Sequence, residues 1–157
     1  MNILVLDNII KNPDQYVADI LKKDFIDFQD TPNVVFKGIQ PRFEDELQVF
    51  VENYFPEYQV ALNFVRQSPH KQPEPNFIHS DEMMGDKTIL LYLNKNYPTE
   101  AGTSIYNNDG TKSCSVFMKY NRLFAFDSYY KHARNLIDNF GEGGDSRLVQ
   151  VIFLKLK

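Results

Sequence analysis

The sequence is poor in the residues that mark several classes of protein. It contains one cysteine, Cys114, so no intramolecular disulfide can form, and nothing in the composition indicates an oxidising compartment. No cluster of lysine or arginine stands out and the formal net charge is −4, so charge gives no support for a nucleic-acid partner. No apolar run approaches the length of a membrane span, and the first residues lack the features of a secretory signal. We therefore expect a cytoplasmic protein without a membrane segment.

Apolar and aromatic residues, by contrast, are abundant. Hydrophobic residues make up 43% and aromatic residues 14% of the 157 positions, which suits a packed globule rather than a disordered chain. A chain of this length fits one domain with a sizeable core. Residues 1–157 are therefore predicted to form a single domain, with a helical preface over about 1–57 and a β core over about 58–156.

The preface shows two helical patterns. Asn12 is a typical helix N-cap and Pro13 a typical first helical residue, so a helix is predicted over 13–23. A second helix is predicted to begin near Pro41 and to end at Pro56, because apolar residues recur there at helical spacing. Between the two helices the sequence predicts only a turn, at 30–33.

From residue 58 onward the apolar period changes from 3.6 to 2, the period of half-buried strands. Asp109-Gly110 predicts a hairpin turn, since this dipeptide tolerates positive φ. Strands are predicted at 3–6, 58–64, 77–81, 88–93, 103–106, 113–120, 122–126 and 147–156, with a proline-rich loop at 67–75. Helices followed by at least six strands favour an α+β, mainly β fold, a small sandwich or barrel with the helices packed outside it.

The triplet His79-Ser80-Asp81, with His132 far downstream, indicates a metal site. Residues i and i+2 of an extended strand point the same way, so His79 and Asp81 can aim an imidazole and a carboxylate at one point. A second imidazole from His132 would complete the 2-His-1-carboxylate triad that suits non-haem Fe(II). The alternative is that each is an ordinary strand or turn residue, and the triplet is weak evidence by itself. We expect His70 to be a loop histidine outside the site.

Arg147 begins the apolar run 147–154, and a guanidinium buried there needs an anionic partner. Its planar fork grips a carboxylate in bidentate fashion, which is what the distal carboxylate of a 2-oxo-acid cosubstrate requires. The alternative is an exposed arginine at the start of a strand.

The order of these motifs resembles the core of the Fe(II)/2-oxoglutarate-dependent dioxygenases, most closely their prolyl-4-hydroxylase-like branch. The resemblance covers about residues 58–156 and rests on His79-Ser80-Asp81, Thr88-Ile89-Leu90-Leu91-Tyr92-Leu93-Asn94, Ala101-Gly102, the strand ending at Phe126, His132 and Arg147-Leu148-Val149. The sequence departs from the family pattern at three positions. Ala101 replaces the first glycine of a Gly-Gly pair, Asn76 stands where a tyrosine is common, and Arg147 replaces the lysine of animal prolyl hydroxylases.

The resemblance implies a double-stranded β-helix core of the jelly-roll, cupin-like kind. It implies that His79, Asp81 and His132 hold Fe(II) and carry catalysis, with 2-oxoglutarate and O₂ as cosubstrates and ascorbate as a reductant. Arg147, and Tyr92 through a second hydrogen bond, would bind the distal carboxylate of 2-oxoglutarate, although Tyr92 also suits a plain core position. Asp127 and Arg134, which lie on either side of His132 in the sequence, could line the mouth of the site.

The implied activity is hydroxylation of a substrate, a protein side chain or a small molecule, with release of succinate and CO₂. Two alternatives stay open. One is a cupin-like metalloprotein that does not use 2-oxoglutarate, such as another O₂-dependent dioxygenase or a zinc hydrolase. The other is a non-enzymatic β-sandwich binding module in which the histidines and the aspartate are incidental. Neither the substrate nor the oligomeric state follows from the sequence.

Overall fold

The computed structural model describes residues 2–135 and 138–157, and in them the chain forms ten β-strands and two α-helices. The strands are β1 Ile3–Asp7, β2 Ile26–Thr31, β3 Val34–Pro41, β4 Tyr58–Ser68, β5 Lys87–Tyr92, β6 Gly102–Tyr106, β7 Lys112–Phe117, β8 Arg122–Asp127, β9 Lys131–Arg134 and β10 Arg147–Leu156. The helices are α1 Pro13–Leu21 and α2 Glu46–Tyr54. The prediction of a mainly β, α+β chain is confirmed.

The strands form two antiparallel sheets. The larger has the order β1-β8-β5-β10-β4-β3-β2, and the smaller has the order β7-β6-β9. Strand β10 lies in the middle of the larger sheet, where it pairs with β4 on one side and β5 on the other. Two facing antiparallel sheets of this kind are consistent with the expected double-stranded β-helix.

The alternation of strand side chains divides the larger sheet into two buried faces. On β8, Leu123 and Ala125 join the cluster that contains Ile20 of α1 and Val51 of α2. On the same strand, Phe124 and Phe126 join a second cluster with residues of the smaller sheet. The helices therefore cover the outer face of the larger sheet, as predicted, and the smaller sheet covers its inner face. The space between the two sheets is called the interior below.

Both helices begin at a capping side chain. The Asn12 side chain accepts from the Gln15 amide at 3.4 Å, and Pro13 is the first residue of α1, as predicted. The predicted start of α2 near Pro41 is wrong, because Pro41 ends β3, where it pairs with Phe64. The cap of α2 is Asp45, whose carboxylate accepts from the amide of Gln48 at 3.0 Å. The helix ends at Tyr54, two residues before Pro56.

Three further differences concern strands. The preface contains a hairpin, β2–β3, where the sequence predicted only a turn, and this hairpin pairs with β4. The predicted strand at 77–81 is a single bridge between His79 and His132, because the chain turns immediately after Asp81. Strand β9, which carries His132, was not predicted. The predicted hairpin turn at Asp109-Gly110 joins β6 to β7, and Gly110 has φ +85°.

Among the described residues, no helix is long and apolar enough to cross a membrane.

Candidate metal centre

His79, Asp81 and His132 meet at one point, as the sequence predicted. One ligand atom from each residue lies within 4.8 Å of the others. The Nε2 atoms of His132 and His79 lie 3.1 Å and 3.4 Å from the two carboxylate oxygens of Asp81. His132 is buried, whereas the His79 side chain is 39% exposed, so the cluster opens to solvent on the His79 side.

The main chain brings the three residues together. His79 and His132 exchange two backbone hydrogen bonds, of 3.0 Å and 2.8 Å, across the bridge that joins the 77–81 segment to β9. The amide of Asp81 donates to the carbonyl of Ser128 at 2.8 Å, immediately after β8. Strand β9 is itself held by β6, where Ile105 lies opposite His132. Each residue of the triad is therefore fixed by backbone hydrogen bonds to a segment distant in sequence.

Backbone carbonyls also orient both imidazole rings. Nδ1 of His79 lies 2.9 Å from the carbonyl oxygen of Phe77, and Nδ1 of His132 lies 3.0 Å from that of Tyr130. A carbonyl only accepts, so each Nδ1 carries a proton. Each Nε2 is a donor to Asp81 while no metal is bound, and would present its lone pair to a metal ion that took the place of that proton. This outer hydrogen bond to the second ring nitrogen is the usual companion of a metal-ligating histidine. The donor set therefore fits a divalent transition-metal ion.

The electrostatics keep the carboxylate ionised. Burial opposes the charge on Asp81, but hydrogen bonds from His132 and His79 outweigh it and hold the pKa of Asp81 well below its usual range. The hydrogen bond to Asp81 correspondingly raises the pKa of His79. Thr88 adds a long hydrogen bond, 3.4 Å, to the same carboxylate. Two imidazoles and one carboxylate suit Fe(II) with open coordination positions and also suit Zn(II), so the triad alone leaves both metals open.

His70 does not reach the triad. Its Nδ1 lies 3.3 Å from the carbonyl oxygen of Asn139 and its amide donates to Gly141, both in the segment that precedes β10. It is a loop histidine, as expected.

Arg147 begins β10 and shares one strand face with Val149 and Val151, which pack in the interior. It lines a small cavity with Ala101, Gly102, Arg134, Asp138 and Phe140. No carboxylate of the described residues lies within ion-pair distance of Arg147. Burial, followed by the charge of Arg134, lowers its pKa to about 10, so it stays charged at neutral pH. The structure therefore presents a partly buried cation without an anionic partner in residues 2–135 and 138–157.

Tyr92 lies on the same interior face, opposite Val149 on β10. It is fully buried, and its hydroxyl makes a 2.8 Å hydrogen bond with the hydroxyl of Thr103 on β6, which ties the two sheets together. Burial raises its pKa to about 12. The tyrosine thus has a structural partner, and a role toward a cosubstrate stays a prediction.

Sequence reasoning missed an acidic group beside Arg147. Glu74, in the proline-rich loop, turns inward until its side chain is 4% exposed, and it forms ion pairs with Arg134 at 2.8 Å and Arg66 at 2.9 Å. A glutamate between two prolines carries no local signal of burial. Of the two residues expected near the mouth, Arg134 lines the cavity, whereas Asp127 pairs with Lys87 at 2.6 Å.

Comparison with known proteins gives matches in structure but not in sequence. No protein-family model matches the chain, and no curated protein sequence matches it significantly. A prolyl hydroxylase from Trichoplax adhaerens, in complex with a peptide fragment of hypoxia inducible factor, superposes with a TM-score of 0.69 at 17% identity, over 97% of this chain and 82% of that one. The fold is that of the Fe(II)/2-oxoglutarate-dependent dioxygenases.

Two further proteins share this dioxygenase fold. The non-haem α-ketoglutarate-dependent epimerase SnoN of nogalamycin biosynthesis matches with a TM-score of 0.66 at 9% identity, over 96% of this chain and 76% of that one. HygX from Streptomyces hygroscopicus, with iron bound, matches with a TM-score of 0.59 at 11% identity, over 96% and 80%. A second HygX structure contains nickel and 2-oxoglutarate. At these identities the likeness concerns the fold, and the site must be argued from the residues of this chain.

Proposed function

We propose that this protein is an Fe(II)- and 2-oxoglutarate-dependent oxygenase that hydroxylates a substrate and releases succinate and CO₂. The observation that carries the proposal is Arg147. A charged guanidinium in the interior is costly unless an anion joins it, and the described residues provide no carboxylate at ion-pair distance. A metalloprotein that does not use a dicarboxylate has no need of such a group.

In this proposal His79, Asp81 and His132 hold the metal by one face. Bound Fe(II) would supply the oxygen chemistry, with 2-oxoglutarate as the source of two electrons. The chain would contribute orientation. Nε2 of each imidazole is aimed by a backbone carbonyl, and the ionised Asp81 supplies the single negative charge of the donor set. Tyr92 is proposed as a second hydrogen-bonding partner of the distal carboxylate, since its hydroxyl faces the interior near Arg147.

The interior around the triad is apolar. The ring of Phe126 lies 4.8 Å from that of His132, and Phe124 packs on Phe126 at 4.9 Å. Side chains of this kind exclude water from the inner side of the metal position and strengthen the charge interactions there. The exposed side, beside His79 and Phe77, is where a substrate would approach.

The cavity beside Arg147 fits the proposal in chemistry but is small. Its volume is about 10 Å³, room for about one water molecule. A five-carbon dicarboxylate can therefore occupy it only after the lining side chains move outward. Asp138, the exposed member of the lining, and Phe140 lie in the connection between β9 and β10, outside both sheets.

Two other functions make different demands on the triad and on Arg147. A cupin-like metalloprotein without 2-oxoglutarate, such as a zinc hydrolase, would need the triad but not Arg147, and a binding module would need neither. The fold does not fix the reaction either, because SnoN is described as an epimerase. The product formed from the substrate, rather than the fold, must therefore establish hydroxylation.

One experiment separates these functions. Metal-free protein is reconstituted with Fe(II) under nitrogen and given ascorbate, 2-oxoglutarate and then air, without substrate. We expect slow uncoupled formation of succinate, inhibition by N-oxalylglycine, and no succinate from the Zn(II) form, which has no accessible redox step. Bound Fe(II) without succinate under any condition would favour the metalloprotein that does not use 2-oxoglutarate. Failure to bind any divalent metal would favour the binding module.

A further inference from the structure

Three arginines converge on the interior at the start of β10. Arg66 on β4, Arg134 on β9 and Arg147 on β10 come from three different strands, and Glu74 is the only carboxylate that pairs with any of them among the described residues. Asp138 lines the cavity from its exposed side. Counting all five groups, positive charge exceeds negative charge by one, so this end of the interior can accept a further anion.

Arg134 and Arg147 differ from Arg66 in their position relative to the small cavity. Both line the small cavity, and Arg66 does not. Arg134 also shares its strand face with His132, two residues earlier on β9. That separation corresponds to about 7 Å along a strand, which is the scale of a five-carbon chain. A ligand that reaches from the metal position into the cavity would therefore pass along Arg134 toward Arg147.

Glu74 fixes the position of Arg134. Nη1 of Arg134 donates to Oε2 of Glu74 at 2.8 Å and also contacts the side-chain oxygen of Asn139. Burial opposes the charge on Glu74, but the charge of Arg66 and hydrogen bonds from Ser68 and Asn139 outweigh it and lower its pKa. The carboxylate stays ionised and buried, so it holds one edge of the Arg134 guanidinium. Arg134 is also one of the residues that line the cavity.

We propose that Arg134 is a second binding residue for the distal carboxylate of 2-oxoglutarate, beside Arg147, and that Glu74 is the positioning residue that holds Arg134 there. The inference rests on the proposed function. Arg134 and Arg147 line one small cavity and their charges repel each other, and an anion between them would relieve that repulsion. Because both residues line this one small cavity, a carboxylate that entered it as the lining moved outward would contact both of them. The pair would select 2-oxo acids that carry a second carboxylate.

Arg66 provides a matched control, because it pairs with the other carboxylate oxygen of Glu74, Oε1, and does not line the cavity. The test uses the full chain loaded with Mn(II) under nitrogen, and the readout is calorimetric affinity for 2-oxoglutarate and for 2-oxopentanoate, which lacks the distal carboxylate. Folding is checked for every variant by circular dichroism and metal content. The variants are Arg134→Lys, Arg134→Ala, Arg66→Lys, Arg66→Ala, Glu74→Gln and Arg147→Ala.

We expect Arg134→Ala to weaken 2-oxoglutarate binding at least tenfold and Arg134→Lys to weaken it less, with little change for 2-oxopentanoate. The affinity of Arg66→Lys for 2-oxoglutarate should stay within threefold of that of the wild type. The affinity of Glu74→Gln should lie between those of the Arg66 and Arg134 variants. Equal losses for the Arg66 and Arg134 variants, or equal losses for both ligands, would show that Arg134 only maintains the ion-pair cluster. That outcome overturns the inference.

The two proposals fail in different ways. If Arg147→Ala loses 2-oxoglutarate affinity and the Arg134 variants do not, the inference is wrong while the proposed function stands. If the wild-type protein binds metal but no 2-oxoglutarate, the proposed function itself is wrong. The conservative Arg134→Lys variant keeps the result interpretable if Arg134→Ala does not fold.

Discussion

His79 and His132 face each other across a single antiparallel bridge, with backbone hydrogen bonds of 3.0 Å and 2.8 Å and ring centroids 4.4 Å apart. The two residues are far apart in sequence, yet their Nε2 atoms flank one carboxylate, that of Asp81. This arrangement makes the triad a unit, since loss of any member leaves two ligands on a site built for three.

His79→Ala, Asp81→Ala and His132→Ala should each abolish tight Fe(II) binding while the β-sheet spectrum persists. Two ligands rarely hold a labile divalent ion, and a site residue seldom determines whether a core forms. Iron content after anaerobic reconstitution and gel filtration measures the effect. His70→Ala is the control and should bind iron as the wild type does, because His70 contacts the 139–141 segment instead. Stoichiometric iron in any one triad variant would remove that residue from the site.

Arg147→Ala should bind Fe(II) normally but require well over tenfold more 2-oxoglutarate. Loss of a charge-assisted pair to a largely desolvated carboxylate costs roughly 2–5 kcal/mol. The 2-oxoglutarate requirement of Arg147→Lys should lie between those of the wild type and Arg147→Ala, because lysine keeps the charge but lacks the bidentate geometry. Inhibition by N-oxalylglycine should weaken in the same order, measured as its inhibition constant in the succinate assay. Unchanged cosubstrate affinity in both variants would make Arg147 an ordinary strand residue.

Asp7 should make stability depend on pH in the acid range. Hydrogen bonds from Arg122, at 2.7 Å and 3.1 Å, and from Lys119 lower the pKa of Asp7 to about 2. A depressed carboxyl pKa stabilises the folded state above about pH 4, and the contribution is lost as pH falls toward 2. After allowance for the partial exposure of Asp7, Asp7→Asn should cost about 1 kcal/mol at pH 7.

The difference between the wild type and Asp7→Asn should shrink as the pH approaches 2, in urea unfolding followed at several pH values. Asp24→Asn is the control, since Asp24 forms no ion pair among the described residues. A difference that stays constant from pH 7 to pH 2 would contradict the assignment of the effect to ionised Asp7.

Gly38→Ala should destabilise the protein far more than Gly110→Ala. Both glycines have positive φ, +67° and +85°, so alanine costs about 1–2 kcal/mol at either position. A Cβ at Gly110 would meet nothing within 4 Å, whereas at Gly38 it would lie 2.2 Å from the carbonyl oxygen of Gln67. Strands β3 and β4 would have to separate there, so we expect an additional loss of at least 2 kcal/mol. If urea unfolding gave the same loss of unfolding free energy for Gly38→Ala and Gly110→Ala, the β3–β4 contact would not be close at Gly38.

Sequence patterns predicted those parts of the fold whose signals are local. Strand β10 was predicted at its observed bounds because the run 147–156 is apolar on both faces, and α1 because Asn12 and Pro13 mark its start. The hairpin β2–β3 was missed, since the apolar alternation of β2 is limited to Ile26 and Phe28, which are exposed like the rest of that strand. Four-residue β9 was missed because it is held by tertiary contacts, the pairing with β6 and the bridge to His79.

The candidate site divides in the same way. The triad and Arg147 could be placed because their spacing follows the motif order of a known family, and a motif order survives where overall identity is low. Glu74 could not be placed, because the fold of a proline-rich loop decides whether its side chain turns inward. The cluster around Arg134 is a product of tertiary contacts between segments that share no pattern.

The carbonyl groups that orient the two imidazoles belong to Phe77 and Tyr130, but the side chains of those residues take no part in the hydrogen bonds. The metal geometry is consequently encoded in the path of the main chain. A side chain at the exposed rim can therefore be exchanged while both carbonyl–imidazole hydrogen bonds are retained. Under the proposed function, a scaffold of this kind would separate selection of the reactant from maintenance of the metal, so substrate preference could drift, or be engineered, while the chemistry is retained.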